Sequence, residues 1–257
     1  MSQKKKLIAA YIIISLIAVF SLNYFTGSFV RKYPRYKATI VSVIDGDTII
    51  TQSGEKVRLL GINAPEKGEF YYEEAKEALE NMVKNKTVEL EIDAKDKDAY
   101  GRSLRYVFVD DKFVNLEMIK DGYAHAYIIY PSLRYTDSLK KAQSFAREKK
   151  LGIWRPSEYS GCIVIQAFSF EDRDEFIEFK SVCNPINISG WYVTDESSHK
   201  PFYFPSILLG DVVLHTGYGN SNSTHLFWNS NPVWNDDGDT IFLRDSKGLL
   251  VLSYTYP

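Results

Sequence analysis

The sequence predicts an α+β OB-type five-stranded barrel with three helices, followed by an all-β sandwich. Three observations carry this expectation. Between Tyr36 and Trp154, short apolar β-branched runs alternate with segments of helical period. From about Cys162 the helical period disappears, and short strands recur between Asn, Gly, Ser and Pro. The same boundary marks a change of charge: residues 36–156 carry 20 basic and 20 acidic side chains, whereas residues 157–257 carry 5 and 13. The 257-residue chain therefore divides into 1–35, 36–156 and 157–257. A nucleic acid would be repelled by the acidic last segment.

Residues 7–30 contain no charge, and Leu7–Phe25 as a helix would span roughly 28 Å, close to a bilayer core. Lys4 to Lys6 precede this stretch as the basic flank of a signal anchor or a signal peptide. Val19-Phe20-Ser21 is a weak cleavage site, which favours retention as a membrane anchor. Arg31, Lys32, Arg35 and Lys37 balance the leading lysines, so charge leaves the orientation nearly tied.

Tyr36–Ile44 reads as the first strand of the barrel, Thr48–Thr51 as the second and Val57–Ile62 as the third. Tyr71–Lys84 is helical, with Ala75, Ala78, Leu79 and Met82 on one face. Thr87–Ile92 and Leu104–Val109 complete the strands. Val114–Asp121 is a short helix ended by Gly122. Thr136 is placed to cap a longer helix that turns Leu139, Ala142 and Ala146 inward and has Gly152 beyond its end. Arg147, Lys149 and Lys150 at that helix end form a solvated basic face. Interleaving of this kind suits an OB-type barrel.

Asp45–Glu66 (DGDTIITQSGEKVRLLGINAPE) concentrates charge at one end of a hairpin. Asp-Gly-Asp turns the chain into the Thr48–Thr51 strand, and Ser53-Gly54 returns it. Pairing with Val57–Leu60 places Asp47 and Glu66 at the same end, with Arg58 a few residues inside. Such a cluster suits attack on a phosphodiester: a carboxylate activates water, a divalent cation bridges acidic oxygens to phosphate, and guanidinium groups stabilise phosphoryl charge. Arg102, in Asp98-Ala99-Tyr100-Gly101-Arg102, supplies a second guanidinium.

At these motifs the chain resembles the thermonuclease, or staphylococcal-nuclease-like, family. IDGDTI, VRLLGINAPE, DAYGR, VNLEMIKDGYAHA and AREKKLGIW follow one another between about Ala38 and Trp154. The resemblance implies hydrolysis of DNA and/or RNA with calcium as cofactor. Asp47 would ligate the metal together with Asn63 and Ala64, and Glu66 would act as general base. Arg58 and Arg102 would hold the phosphate, and Tyr100 and Tyr130 would line the nucleotide pocket. Asn63 stands where the family has a second metal-binding aspartate, which removes one charge and brings another divalent cation into play. Ile128 stands where the family has a tyrosine.

The last region resembles a lamin-tail domain, an immunoglobulin-like module, through IVIQAFSF, DEFIEFKSVC, ISGWYVTDE, GDVVLHTGYG and LFWNSNPVWNDDGDTIFLRDSKG. Its partner is unknown. A second DGDTI, Asp237–Ile241, has no Arg and Pro-Glu strand behind it and reads as a structural turn. His125, His199, His215 and His225 lack a metal spacing, and two cysteines exclude the usual four-ligand zinc site.

If 162–170 and 175–183 form a hairpin turning at Asp172-Arg173, Cys162 and Cys183 stand directly opposed, in reach of a disulfide. Buried free thiols are the competing account. A bridge would favour an oxidising compartment, and so soluble domains outside the cytoplasm. Two functional classes remain: a membrane-anchored, metal-dependent nuclease, and a non-catalytic OB module that binds nucleic acid or protein. Asp47, Arg58, Glu66 and Arg102 together favour the enzyme, because a binder needs no aligned base.

Overall fold

The computed structural model describes residues 34–170, 175–196, 200–235 and 238–256. The expected membrane segment Leu7–Phe25, the turn residues Asp172 and Arg173, His199 and Asp237 lie outside them. Among the described residues no helix is long and apolar enough to cross a membrane. Arg35–Pro257 form one compact unit.

The first region contains β1 (Arg35–Asp45), β2 (Thr48–Thr51), β3 (Lys56–Leu59), β4 (Ile62–Asn63), α1 (Tyr72–Val83), β5 (Thr87–Lys97), β6 (Ser103–Val109), β7 (Lys112–Phe113), α2 (Val114–Lys120), β8 (His125–Ala126) and α3 (Thr136–Glu148). The main sheet runs β3-β2-β1-β5-β6, with β7 beside β6. β3 also pairs in parallel with β6, setting Val57 opposite Ser103 and Leu59 opposite Arg105, and so closes five strands into a barrel. Alternation along β1, β3 and β5 turns Ile40, Val57, Leu59, Val88 and Leu90 into one core with Ala75 and Leu79 of α1 and Leu139 of α3. Each large aliphatic side chain buried there contributes about 1.5–3 kcal/mol. Asn115 is fully buried in α2, yet its Oδ1 accepts from Val107 N at 2.9 Å and its Nδ2 donates to Leu60 O at 2.8 Å. It locks α2 onto the barrel at the strand end that leads into the Asn63–Glu66 segment.

Three local expectations are corrected. The continuous strand Val57–Ile62 is broken at Gly61, which has φ 77° and packs so closely on α3 that a Cβ would lie 2.4 Å from Leu139 Cδ1. Ile62 and Asn63 consequently leave the barrel and pair with Ala126 and His125 of β8. β5 runs beyond Ile92 to Lys97, through charged residues that carry no alternation, because β6 supplies a partner for Lys97 at Ser103. Thr136 does not cap α3: the helix starts from Tyr135 without a side-chain cap, and Thr136 Oγ1 has no hydrogen-bond partner among the described residues. Gly122 does end α2, at φ 79°, and it meets Gly152, at φ 51°. A Cβ on Gly122 would lie 2.4 Å from Leu151 O, and one on Gly152 would lie 2.0 Å from Gly122 O.

The second region contains β9 (Ile163–Ser169), β10 (Phe176–Ser181), β11 (Ile186–Asn187), β12 (Tyr192–Thr194), β13 (Phe202–Tyr203), β14 (Leu208–Leu209), β15 (Asp211–His215), β16 (His225–Phe227), β17 (Asp239–Arg244) and β18 (Leu250–Tyr256). Two four-stranded sheets, β16-β15-β10-β9 and β13-β12-β17-β18, share a core of Phe179, Leu214, Trp191, Val193, Trp234 and Ile241.

Cys162 and Cys183 form a disulfide with Cα atoms 5.2 Å apart. Their direct opposition is corrected. Phe176 faces Ser169 and Glu178 faces Ala167 as expected, but an irregularity beyond Glu178 sets Phe179 opposite Ile165. Cys162 then faces Val182, whose N–H donates to Cys162 O at 2.9 Å. The bridge therefore runs diagonally, from Cys162 to the residue after its backbone partner Val182.

The two regions meet over Trp154, Phe242 and Ala146. Arg244 Nη1 donates to Ile153 O at 2.8 Å and to Gly248 O at 3.1 Å, and Ser157 Oγ donates to Asp245 Oδ2 at 2.7 Å. His125 lies against Trp154 and Phe242, with centroids 4.9 and 4.6 Å away. Burial, with help from Arg244 and Arg147, holds its pKa well below the usual imidazole value.

Candidate active site

The β2–β3 register puts Thr48 opposite Arg58, so the turn residue Asp47 is delivered to the end of β3. Leu59 N donates to Asp47 O at 2.8 Å, and Ala64 N donates to Asp47 Oδ2 at 2.9 Å. The Asp47 carboxylate is thereby tied to the chain that carries Asn63 and Glu66. Asp47 and Arg58 are both buried, and they form an ion pair with Nε 2.9 Å from Oδ1. Burial pushes the Asp47 carboxyl up to about 6, with neighbouring Asp45 adding to the effect, against Arg58 and the hydrogen bonds from Ala64 and Thr48.

Arg58 is engaged on nearly every side. Nη1 donates to Leu59 O and Ile62 O, both at 2.7 Å, and Nη2 donates to Asn63 Oδ1 at 3.0 Å. With Nε set against Asp47, one of its five N–H groups remains directed elsewhere. For the phosphate that Arg58 is expected to hold, this arrangement leaves that one N–H on Nη2.

Arg102 is the freer guanidinium. Its Nε donates to Asp98 Oδ2 at 2.6 Å, and Nη1 reaches Thr48 Oγ1 at 3.5 Å. Among the described residues its Nη2 has no partner. Asp98 makes this possible: its Oδ1 accepts from Tyr100 N and Arg102 N, both at 2.9 Å, around Gly101 at φ 80°. Burial acts to raise the Asp98 pKa, but the Arg102 side chain and these amides hold it below the usual value. Thr48 Oγ1 donates to Asp47 Oδ1 at 3.0 Å, so polar contacts run continuously from Arg102 through Thr48 and Asp47 to Arg58 and Asn63.

The fold therefore brings Asp47, Arg58, Asn63, Ala64 and Arg102 together. Tyr100 stands 86% exposed beside Arg102, whose Cζ lies 5.6 Å from the ring centroid. Tyr130 is 79% exposed in the segment after β8. Glu66 is exposed three residues beyond Asn63, with its N–H bonded to Glu69 Oε2 at 2.7 Å. Sequence reasoning missed Thr48, Asp98 and Glu69. The Asp-x-x-Gly-Arg spacing of a side-chain-capped turn was the signal available for Asp98. It also missed a contact from the second region: Asn63 Nδ2 donates to Glu196 O at 3.2 Å. In the second DGDT copy, Asp239 opens β17 and its Oδ1 accepts from Thr240 N at 2.7 Å.

Every candidate metal donor is a hard oxygen: the Asp47 carboxylate, Asn63 Oδ1 and Ala64 O. That kind of set suits calcium or magnesium. It contains one carboxylate, and among the described residues no three His, Cys, Asp or Glu converge as a metal site. Asp47, buried with a raised pKa, is the group that a cation would relieve.

Residues 56–156 match the family model described as staphylococcal nuclease homologue. The chain is 32% identical over 168 residues to a thermonuclease of Staphylococcus hyicus, covering 59% of this chain and 98% of the relative. It is 39% identical over 121 residues to a thermonuclease of Staphylococcus intermedius, covering 44% and 72%. It is 35% identical over 142 residues to endonuclease YncB of Bacillus subtilis, covering 49% and 67%.

Proposed function

Since this chain belongs to the staphylococcal nuclease family and is a phosphodiester-hydrolysing nuclease, we propose that it is a membrane-anchored, divalent-cation-dependent endonuclease acting on DNA and/or RNA. The observation that carries the site assignment is the polar chain Arg102–Thr48–Asp47–Arg58–Asn63, which ends at the segment bearing Glu66. In this reading Asp47, Asn63 and Ala64 O hold calcium or another hard divalent cation, which when bound supplies charge neutralisation at the phosphate. Glu66 takes a proton from the attacking water as the new phosphorus–oxygen bond forms and the bond to the leaving sugar oxygen breaks; solvent protonates that oxygen. Arg102 presents its free Nη2 edge to the phosphoryl oxygens. Arg58 contributes charge and holds Asp47 and Asn63 in place. Tyr100 and Tyr130 offer exposed rings for stacking on nucleotide bases.

Residues 7–25 are the proposed anchor. The Cys162–Cys183 bridge supports an oxidising, extracytoplasmic side for the folded regions. The second region is assigned as a lamin-tail-like, immunoglobulin-like module on its sequence resemblance, with two packed sheets in support.

The test is cleavage of circular and linear DNA and of RNA by the full chain in detergent, with calcium, magnesium, manganese or chelator. Metal-dependent nicking of circles is the expected result. Equal cleavage in chelator would remove the cation from the mechanism, and cleavage of linear ends alone would replace endonuclease by exonuclease.

A further inference from the structure

The segment Asn63–Phe70, which carries Glu66, is held at several points by contacts from the second region, in addition to its pairing with His125 and the Arg155 guanidinium over Phe70. Glu196 O accepts from Asn63 Nδ2 at 3.2 Å while Asn63 Oδ1 accepts from Arg58, so the amide has one orientation that satisfies both neighbours. Glu196 is itself fixed by the second DGDT copy: Thr240 Oγ1 donates to its Oε1 at 2.6 Å, and its N–H points to Asp239 Oδ1 at 3.4 Å. At the other end of the segment, the β17–β18 turn lies so close that a Cβ on Gly248, at φ 82°, would meet Phe70 Cβ at 2.2 Å. Arg244 fastens that turn by gripping Gly248 O and Ile153 O. Between these anchor points lies a partly open cleft of about 40 Å³ lined by Asn63, Glu69, Phe70, Thr194, Asp195 and Arg244. Glu69, whose carboxylate holds the Glu66 amide, lies in that seam and is influenced by Arg244.

We propose that the C-terminal module is a positioning element of the nuclease site, with Glu196 and the Gly248 turn fixing Asn63 and Phe70 so that Glu66 projects from a braced segment. The asparagine at position 63 fits this role directly. An aspartate would have no donor to offer Glu196 O and would set a carboxylate against a carbonyl. The proposal rests on the assignment of Glu66 as general base, but the bracing itself can be measured without it.

The experiment uses the full chain in detergent, with Gly248→Ala and Thr240→Val as separate variants, neither touching the candidate site. Hydrogen exchange is followed in peptides covering 63–70, and kcat and KM are measured on a fluorogenic DNA oligonucleotide. Each variant is expected to speed exchange in 63–70, relative to peptides of β5 and β6, and to lower kcat about tenfold or more with KM within twofold, because a displaced base costs turnover and spares substrate contacts. Unchanged exchange in both variants overturns the bracing. Faster exchange with unchanged or higher kcat overturns the positioning role, since the module would then be a bystander or a brake. If exchange rises and kcat falls while Glu66→Gln remains fully active, bracing stands and the identity of the base falls instead. Thermal melts of both variants confirm folding, and either variant alone suffices if the other does not fold.

Discussion

Replacing Arg58 and Arg102 by methionine, one at a time, should separate a guanidinium that holds the site from one that holds substrate. Arg58 gives three N–H bonds to Leu59 O, Ile62 O and Asn63 Oδ1 and sets Nε against Asp47, all in a buried setting. Removing it leaves a buried carboxylate, already pushed up to about 6, without its cation. Breaking a buried pair from one side costs about 3–5 kcal/mol. Arg102 makes an ion pair with Asp98 at 2.6 Å in a half-exposed setting, and Asp98 keeps its Tyr100 N bond after the change. Pairs of that kind are worth about 1 kcal/mol or less. The rate behaves the other way for Arg102, because losing a donor aimed at transition-state charge costs about 10²–10³ in kcat. Urea unfolding and initial rates on a fluorogenic oligonucleotide measure both quantities. Arg102→Met should lose rate at nearly full stability, and Arg58→Met should lose both. An Arg102→Met enzyme within a few-fold of wild-type rate, or an Arg58→Met protein of unchanged stability, would refute the division of roles.

Glu66→Gln should lower kcat by at least about 10² with an unchanged urea midpoint, since the carboxylate is exposed; activity within a few-fold of wild type removes it as the base. Cys162→Ala/Cys183→Ala opens a link between residues separated by 21 positions and should cost about 3 kcal/mol in urea unfolding followed by tryptophan fluorescence; a loss under about 1 kcal/mol contradicts the bridge's stabilising role. Asp239 is pushed up to about 6 by burial, Asp195 and Glu196, above its ordinary 3.8. The folded state therefore binds that proton more tightly, and the resulting stabilisation, complete below about pH 4, is lost as pH rises through about 6. From pH 4 to pH 8 the stability of wild type relative to Asp239→Asn should fall by about 1–2 kcal/mol, solvent screening reducing the full linkage term; a constant gap would show that Asp239 titrates normally.

What could be read in the sequence was what is encoded locally. Asp47, Arg58 and Asn63 lie within one hairpin and its exit, and Asp98-Ala99-Tyr100-Gly101-Arg102 carries both the turn and the ion that orients Arg102. The helices were legible because Ala75, Leu79, Leu139 and Ala142 repeat at helical spacing. The break at Gly61 was hidden because its cause, Leu139, is 78 positions away. The irregularity beyond Glu178 was equally silent, and it shifted a cysteine register that had been correct at Phe176 and Ser169. Hardest of all was the contact of Asn63 with Glu196, 133 positions away. From the sequence, Asn63 looked only like a metal site short of one charge; in the fold its amide has a donor's task as well.

The mutual approach of Gly122 and Gly152 bears on how this chain can be recombined with its relatives. Each glycine occupies space that the other segment's backbone would otherwise lose: a Cβ at 122 would strike Leu151 O and one at 152 would strike Gly122 O. In a shuffled library, a crossover between these positions that imports a side chain at either one would force α2 and α3 apart. Residues 122–152 should therefore be inherited as one block among the survivors, even though the two glycines are 30 positions apart.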